Sequence, residues 1–225
     1  MVLSQVSISP CERLRSHLTA AASYSGLPEP MLARSGQLPT GGDYSYELKW
    51  DGFRAIVSTE GELRVRSRRG WDMTEHVGFL AQLPVAGIFD GELVALDADG
   101  KPDFPQLCEC VLMRRTTVPL TFIAFDVLSV EGENVMGLPY AERREILDGL
   151  DLNDRLWRTP EAFDDGAALW EAVCEHELEG VVAKRRSGRY VSGGIAWIKT
   201  KNKEYWRYEM EREGARKTSR QRQFV

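Results

Sequence analysis

Short β-rich runs broken by acidic-residue–glycine turns constrain this chain more than any other feature. Residues 44–49, 53–59 and 62–67 carry alternation or β-branched content and are split at Asp51-Gly52 and Glu60-Gly61. The second break reads as a tight hairpin. Along the third run Arg64, Arg66 and Arg68 fall on one face and Leu63, Val65 and Ser67 on the other. Residues 88–96 form a further strand ending at the Asp97-to-Gly100 turn, and the apolar run 120–128 reads as a central strand. Residues 180–184 and 196–199 add two more strands. Residues 105–114, 139–150 and 166–177 read as helices. Strands and helices do not alternate strictly, so the expectation is an α+β chain with antiparallel sheets.

The ends differ from this body. Ser9-Pro10-Cys11-Glu12 has the layout of a helix start, giving an N-terminal helical segment over residues 1–27 that stops near Gly26 and Pro28. Residues 26–42 are turn-rich and read as a linker wrapping the body. The 225 residues are 43% hydrophobic and 28% charged, enough for a real core, which excludes disorder as the default. A net charge of −5 excludes a uniformly basic nucleic-acid binder. Residues 199–225 nevertheless hold nine basic and four acidic side chains. An acidic body with a basic tail fits a polyanion partner or a solvated terminus. Trp206, with Tyr205 and Tyr208 among Lys203 and Arg207, reads as a packed terminal helix or a base-stacking element. Four cysteines without a CxxC pair make neither a disulfide framework nor a zinc knuckle, and His17, His76 and His176 lack ligand spacing. With no signal-peptide layout and no apolar stretch near the roughly 18 residues of a membrane span, the expected location is the cytoplasm.

The segment Glu47-Leu48-Lys49-Trp50-Asp51-Gly52-Phe53-Arg54 is the most informative. Alternation places Glu47, Lys49 and Asp51 on one side, with Arg54 returning from the next strand. A lysine on fixed backbone is a covalent nucleophile when its amine is neutral, a state favoured by burial and nearby cations. The same spacing equally fits a surface ion-pair ladder. Phe89-Asp90-Gly91-Glu92, Phe125-Asp126, Glu179-Gly180-Val181-Val182-Ala183-Lys184 and Trp197-Ile198-Lys199-Thr200-Lys201 are each weak signals alone. Together, carboxylates and lysines of this kind can hold a triphosphate and a divalent metal.

The five motifs in this order resemble the covalent nucleotidyltransferase superfamily, and within it the adenylation domain of ATP-dependent DNA ligases of the bacterial end-joining type. Pro30-Met31-Leu32-Ala33 and Ser67-Arg68-Arg69-Gly70 extend the likeness, which covers about residues 28–201. The resemblance implies an α+β, ATP-grasp-like nucleotidyltransferase fold: two mainly antiparallel sheets flanked by helices, with the nucleotide site between them. It implies an adenylation domain over residues 28–202 and a basic tail over residues 203–225. It implies that Lys49 attacks the α-phosphate of ATP and carries AMP. Glu47 would accept from the adenine amino group, Phe125 would stack on adenine, and Arg54 would bind ribose or the DNA end. Arg68 would touch phosphate or sugar, while Glu92 would hold ribose or metal and Glu179 metal. Lys199 and Lys201 would neutralise the α-phosphate. Mg²⁺ or Mn²⁺ is the implied metal, nicked duplex DNA the implied substrate, and a monomer the implied state.

This sequence departs from the family pattern at three places. Arg69 stands where Asn is usual. The loop from residue 190 to 197 is shorter and less basic than the usual Gly-Lys-Arg-Ser stretch, which weakens expected DNA contact. Only 24 residues follow Lys201, too few and too charged for the five-stranded oligonucleotide-binding barrel that family ligases place there. The expectation is therefore either a stand-alone catalytic core without that barrel, open to a protein partner that supplies OB-type or DNA-end-binding function, or a fragment of a longer design. RNA ligase or capping-type nucleotidyl transfer, and a nucleotide- or DNA-binding module that does not seal, stay open as alternatives.

Overall fold

The computed structural model describes residues 26–83, 85–113 and 118–208. The expected helix near residues 9–24 and most of the basic tail lie outside them. In chain order the strands are β1 (Leu32–Ser35), β2 (Tyr44–Leu48), β3 (Phe53–Ser58), β4 (Arg64–Ser67), β5 (Gly87–Ala95), β6 (Leu120–Val130), β7 (Glu133–Asn134), β8 (Trp157–Arg158), β9 (Ala162–Phe163), β10 (Gly180–Arg185) and β11 (Ile195–Lys201). The helices are α1 (Phe104–Leu112), α2 (Tyr140–Gly149) and α3 (Gly166–Glu175). Asp103 caps α1 by accepting from the Gln106 amide at 3.0 Å, and Asp165 caps α3 by accepting from Ala167 and Ala168 at 2.9 and 3.0 Å.

Two sheets form, as the residue pattern requires. One has the order β1-β11-β10-β2-β9 and the other β4-β3-β5-β6-β7, with β8 added alongside β6. All pairings are antiparallel except β1 with β11 and β6 with β8. On β3 the period of two is plain: Ala55 and Val57 join one core with Phe89, Leu93, Phe122 and Trp157, while Ile56 faces another. That second core, with Met31, Phe125, Leu128, Tyr190 and Trp197, joins the two sheets. All eleven residues of β6 are buried, which explains why this run carries no polar alternation. The α3 helix covers the other sheet through Leu169 and Val173, against Tyr46, Val181, Ala183 and Ile198. Trp170 packs at the edge of that cluster.

Two buried ion pairs fasten the elements that carry the site. Asp126 on β6 accepts from Arg143 of α2 at 2.7 and 2.8 Å, and Arg143 also donates to the Leu138 and Gly188 carbonyls. Asp90 on β5 takes Arg54 of β3 in a two-pronged pair at 2.6 Å each.

The structure departs from the sequence expectations at several elements. Residues 26–42 contain β1, a four-residue strand flanked by prolines and Gly36, too short to show a period. The β3–β4 hairpin is wider than a tight turn, since Ser58 pairs with Arg64 and residues 59–63 lie between. Residues 203–207 form turns; Tyr205 is buried and Trp206 exposed.

Candidate active site

Lys49 stands one residue beyond β2, at the start of a turn that Asp51-Gly52 closes before β3. Its backbone N–H donates to the Gly180 carbonyl at 2.9 Å, so the turn is tied to the start of β10. Gly52 is required by close approach, because a Cβ there would collide with the Leu93 carbonyl. Gly180 has φ of 155° and a Cβ there would strike the Thr200 carbonyl. Glycines after Asp51 and Glu179 thus let three backbones meet where the charged side chains converge.

Glu179 is 3% exposed and bridges two lysines. Lys49 Nζ donates to one oxygen at 2.7 Å and Lys201 Nζ to the other at 2.9 Å. Lys199 lies on the same strand face as Lys201. Burial lowers its proton affinity, and Lys49, Lys201 and Arg68 lower it further. Arg68, an exposed residue just beyond β4, donates its backbone N–H to the Arg54 carbonyl at 3.0 Å. Glu92 sits opposite Arg54 in the β3–β5 register. Burial raises its carboxyl to about 7, against the pull of Lys49 and Arg54 and with the push of Glu179 and Asp51. Lys49, Glu92, Glu179, Lys199, Lys201 and Arg68, expected from five separated segments, are therefore brought together. A cavity of about 480 Å³ is lined by Lys49, Trp50, Asp51, Glu179, Tyr205 and Trp206 among others, while Lys199 and Lys201 line a separate one of about 610 Å³.

The other expected residues sit deeper. Glu47 is 2% exposed and accepts from Lys184 Nζ at 2.9 Å and from the Tyr140 hydroxyl. Lys184 is 1% exposed, donates to the Phe125 carbonyl at 2.8 Å, and lies 4.6 Å from the Phe125 ring centre. Burial lowers its proton affinity even though Glu47 and Asp126 raise it. Arg54 lies 4.7 Å from the same ring centre, and Trp197 meets it edge-on at 5.8 Å. Arg54 is also spent on Asp90 and on the Met31 carbonyl at 2.9 Å. Burial lowers its proton affinity, yet Asp90, with Tyr190 and Glu92, holds it above the ordinary arginine range. Glu47 and Phe125 do not line the cavity beside Lys49.

Asp51 lines the cavity with Lys49, while Glu47 does not. Strand β2 ends at Leu48, so the alternation stops before Asp51. Its two oxygens accept from the Tyr205 hydroxyl at 2.6 Å and from Arg207. Tyr140, Lys184, Tyr205 and Arg207 were not singled out for the site from sequence. Lys184 alone carried a signal, as the last residue of the Glu-Gly-Val-Val-Ala-Lys motif.

Among the described residues no group of three or more His, Cys, Asp or Glu side chains is placed to hold a metal ion. No helix among them is long and apolar enough to cross a membrane.

Comparison with known proteins places these residues in a family context. The family model described as ATP dependent DNA ligase domain matches residues 30–201. A multifunctional non-homologous end joining DNA repair protein, LigD of Mycobacterium tuberculosis, is 36% identical over 184 residues, covering 77% of this chain and 24% of that protein. LigD of Pseudomonas aeruginosa is 35% identical over 184 residues, covering 76% of this chain and 22% of its own. The chain thus spans about a quarter of the length of these curated relatives. The structure of mycobacterial DNA ligase D complexed with ATP and MES superposes with a TM-score of 0.68 at 34% identity, covering 78% of this chain and 60% of that one.

Proposed function

We propose, for a chain that belongs to the ATP-dependent DNA ligase domain family, that Lys49 takes AMP from ATP and passes it to the 5′-phosphate of a DNA nick. The observation that carries this reading is the Lys49–Glu179–Lys201 bridge at 2.7 and 2.9 Å, with Glu92, Lys199 and Arg68 around it. Residues far apart in sequence converge on one lysine held by fixed backbone.

In the first step the neutral Lys49 amine forms an N–P bond to the α-phosphorus. The bond from that phosphorus to the bridging oxygen breaks, and pyrophosphate leaves. The nick 5′-phosphate then displaces Lys49 and takes up AMP, and the 3′-hydroxyl displaces AMP to seal the strand. Such transfers depend on positioning and charge stabilisation. Lys199, Lys201 and Arg68 supply positive charge where the phosphates gather it. Lys49 is paired with Glu179, so attack requires that pair to open, and the proton released as the N–P bond forms passes to solvent.

The carboxylates suit a divalent cation. Mg²⁺ is commonly held by one or two protein carboxylates together with substrate phosphates and water. Glu92 and Glu179 would provide such a pair, and Mg²⁺ or Mn²⁺ there would neutralise phosphate charge. At the nucleobase end, Glu47 would accept from the adenine amino group, its charge already balanced by Lys184. Stacking on Phe125 needs one ring face cleared of Arg54 or Lys184.

The adenylation unit is taken as residues 28–202 and residues 203–225 as a basic extension that touches DNA. We place the chain in the cytoplasm as a monomer that acts on nicked duplex DNA. Sealing of a preadenylated nick tests the strand-joining half without self-adenylation. Sealing of DNA in preference to a matched RNA nick supports the reading. A preference for RNA, or labelling by GTP in place of ATP, replaces it with an RNA-ligase or capping-type one, and binding without sealing reduces the chain to a binding module.

A further inference from the structure

The segment after β11 lies across both turns that carry the reactive charges. Asn202 donates its backbone N–H to the Glu179 carbonyl at 2.9 Å, and its side-chain oxygen accepts from the Glu204 amide at 3.0 Å. Three residues on, Tyr205 and Arg207 each take one oxygen of Asp51. Asp51 is 5% exposed and Tyr205 7%, so this contact is shielded from water. Arg207 also stacks on Phe104 of α1, its guanidinium carbon 3.4 Å from the ring centre. Phe104 in turn meets Phe53, the first residue after the Asp51-Gly52 turn, edge-on at 5.4 Å.

These contacts converge on one short stretch of backbone. The Lys49 turn is fixed at its start by the Lys49–Gly180 hydrogen bond and at its end by β3. Between them the Asp51 side chain is the lever, and among the described residues its side-chain hydrogen bonds come from Tyr205 and Arg207. Burial holds the Tyr205 hydroxyl well above the ordinary phenol range, and its bond to Asp51 adds to this, so it stays a donor throughout the physiological range. The Arg207 fork is fixed in charge and geometry.

We propose that Tyr205 and Arg207 are positioning residues for adenylyl transfer: through Asp51 they hold the turn that presents Lys49, and through Asn202 the same segment sets Glu179 against it. This rests on the reading of Lys49 as the nucleophile. The segment therefore does more than lead the chain away from the sheet. It links the place where the chain leaves the sheet to the geometry of the reacting amine, so a pull on residues 202–208 reaches Lys49.

The test uses the full chain with Tyr205→Phe, which removes one hydroxyl, and Arg207→Met, which removes the charged fork while keeping a stem over Phe104. Supporting residues of this kind typically change activity by about 10–100-fold when altered. Assayed well below each variant's own melting temperature, single-turnover transfer of AMP from ATP should fall within that range in each variant, with half-saturation by ATP unchanged; Arg207→Met also lowers the melting temperature, because it strands the buried Asp51 carboxylate. Hydrogen exchange at the backbone amides of residues 49–52 should accelerate in both variants, while exchange in β6 stays as in the parent. The proposal is overturned if transfer and exchange at 49–52 match the parent, or if transfer falls only in step with melting temperature or ATP half-saturation. A parent chain that takes up no AMP sinks the ligase reading instead. The exchange comparison then still decides whether Tyr205 and Arg207 hold the turn.

Discussion

Replacing Lys184 by Met strands a carboxylate in the interior. Lys184 and Glu47 are 1% and 2% exposed, and the ammonium lies 2.8 Å from one Glu47 oxygen and 2.9 Å from the other. Without it Glu47 keeps the Tyr140 hydroxyl and the Arg144 guanidinium at 3.9 Å. Removing one partner of a buried pair costs about 3–5 kcal/mol, because the remaining charge is uncompensated. Arg144 recovers part of that, so the lower end, about 3 kcal/mol, is expected. The lost bond to the Phe125 carbonyl falls within this figure. Adding Glu47→Gln removes the stranded charge while keeping an acceptor for Tyr140. The double variant should therefore be more stable than Lys184→Met alone by about 1–2 kcal/mol, a coupling typical of residues in contact. Urea unfolding measures both, with an unchanged m-value showing that the same surface is exposed. A Lys184→Met cost below about 1 kcal/mol, or a double variant less stable than the single, refutes the buried-pair account.

Other outcomes follow from the same geometry. Because burial holds Glu92 at about 7, its proton must leave before it can bind a cation, so the Mg²⁺ affinity of adenylyl transfer should rise with pH through that value. Glu92→Gln should flatten this dependence in a Mg²⁺ titration. In the metal-free protein the folded state holds that proton more tightly than the unfolded chain, so this group's stabilising contribution is lost as pH rises from 4.5 through about 7, as urea melts across the window would show. Phe125→Ala should weaken ATP binding by about 1–3 kcal/mol, the usual range for loss of a base-stacking platform, measured by calorimetry. Deleting residues 209–225 should weaken nick binding at low salt and reduce its salt dependence, leaving Tyr205 and Arg207 in place. Unchanged binding returns that stretch to a solvated terminus.

Most of the charged cluster around Lys49 is legible in the sequence because its residues sit beside backbone that announces itself. Asp51-Gly52 and Glu179-Gly180 mark turns where backbones nearly touch, and Lys199 and Lys201 share a face through simple alternation. The surroundings of Glu47 and Phe125 are harder to read. Glu47 looked like an open acceptor, yet Lys184 and Tyr140, 137 and 93 residues away, fill its surroundings, and no spacing rule reports such distant pairing. Alternation groups Glu47 with Lys49 and Asp51, but β2 ends at Leu48, and only Lys49 and Asp51 share a cavity. Strand β1 escaped notice since four residues between prolines and a glycine carry no period, and its partner β11 supplies the pairing. Tyr205 and Arg207 read as part of a charged tail, and only the folded chain shows them returning to the first motif.

The central claim is that Lys49 is the nucleophile. Intact mass of the full chain after incubation with ATP and Mg²⁺ tests it, beside Lys49→Ala and with peptide mapping of the product. The account predicts a gain of one AMP, located on Lys49 and absent from Lys49→Ala. An equal gain in Lys49→Ala, or no gain in the parent with either Mg²⁺ or Mn²⁺, contradicts it.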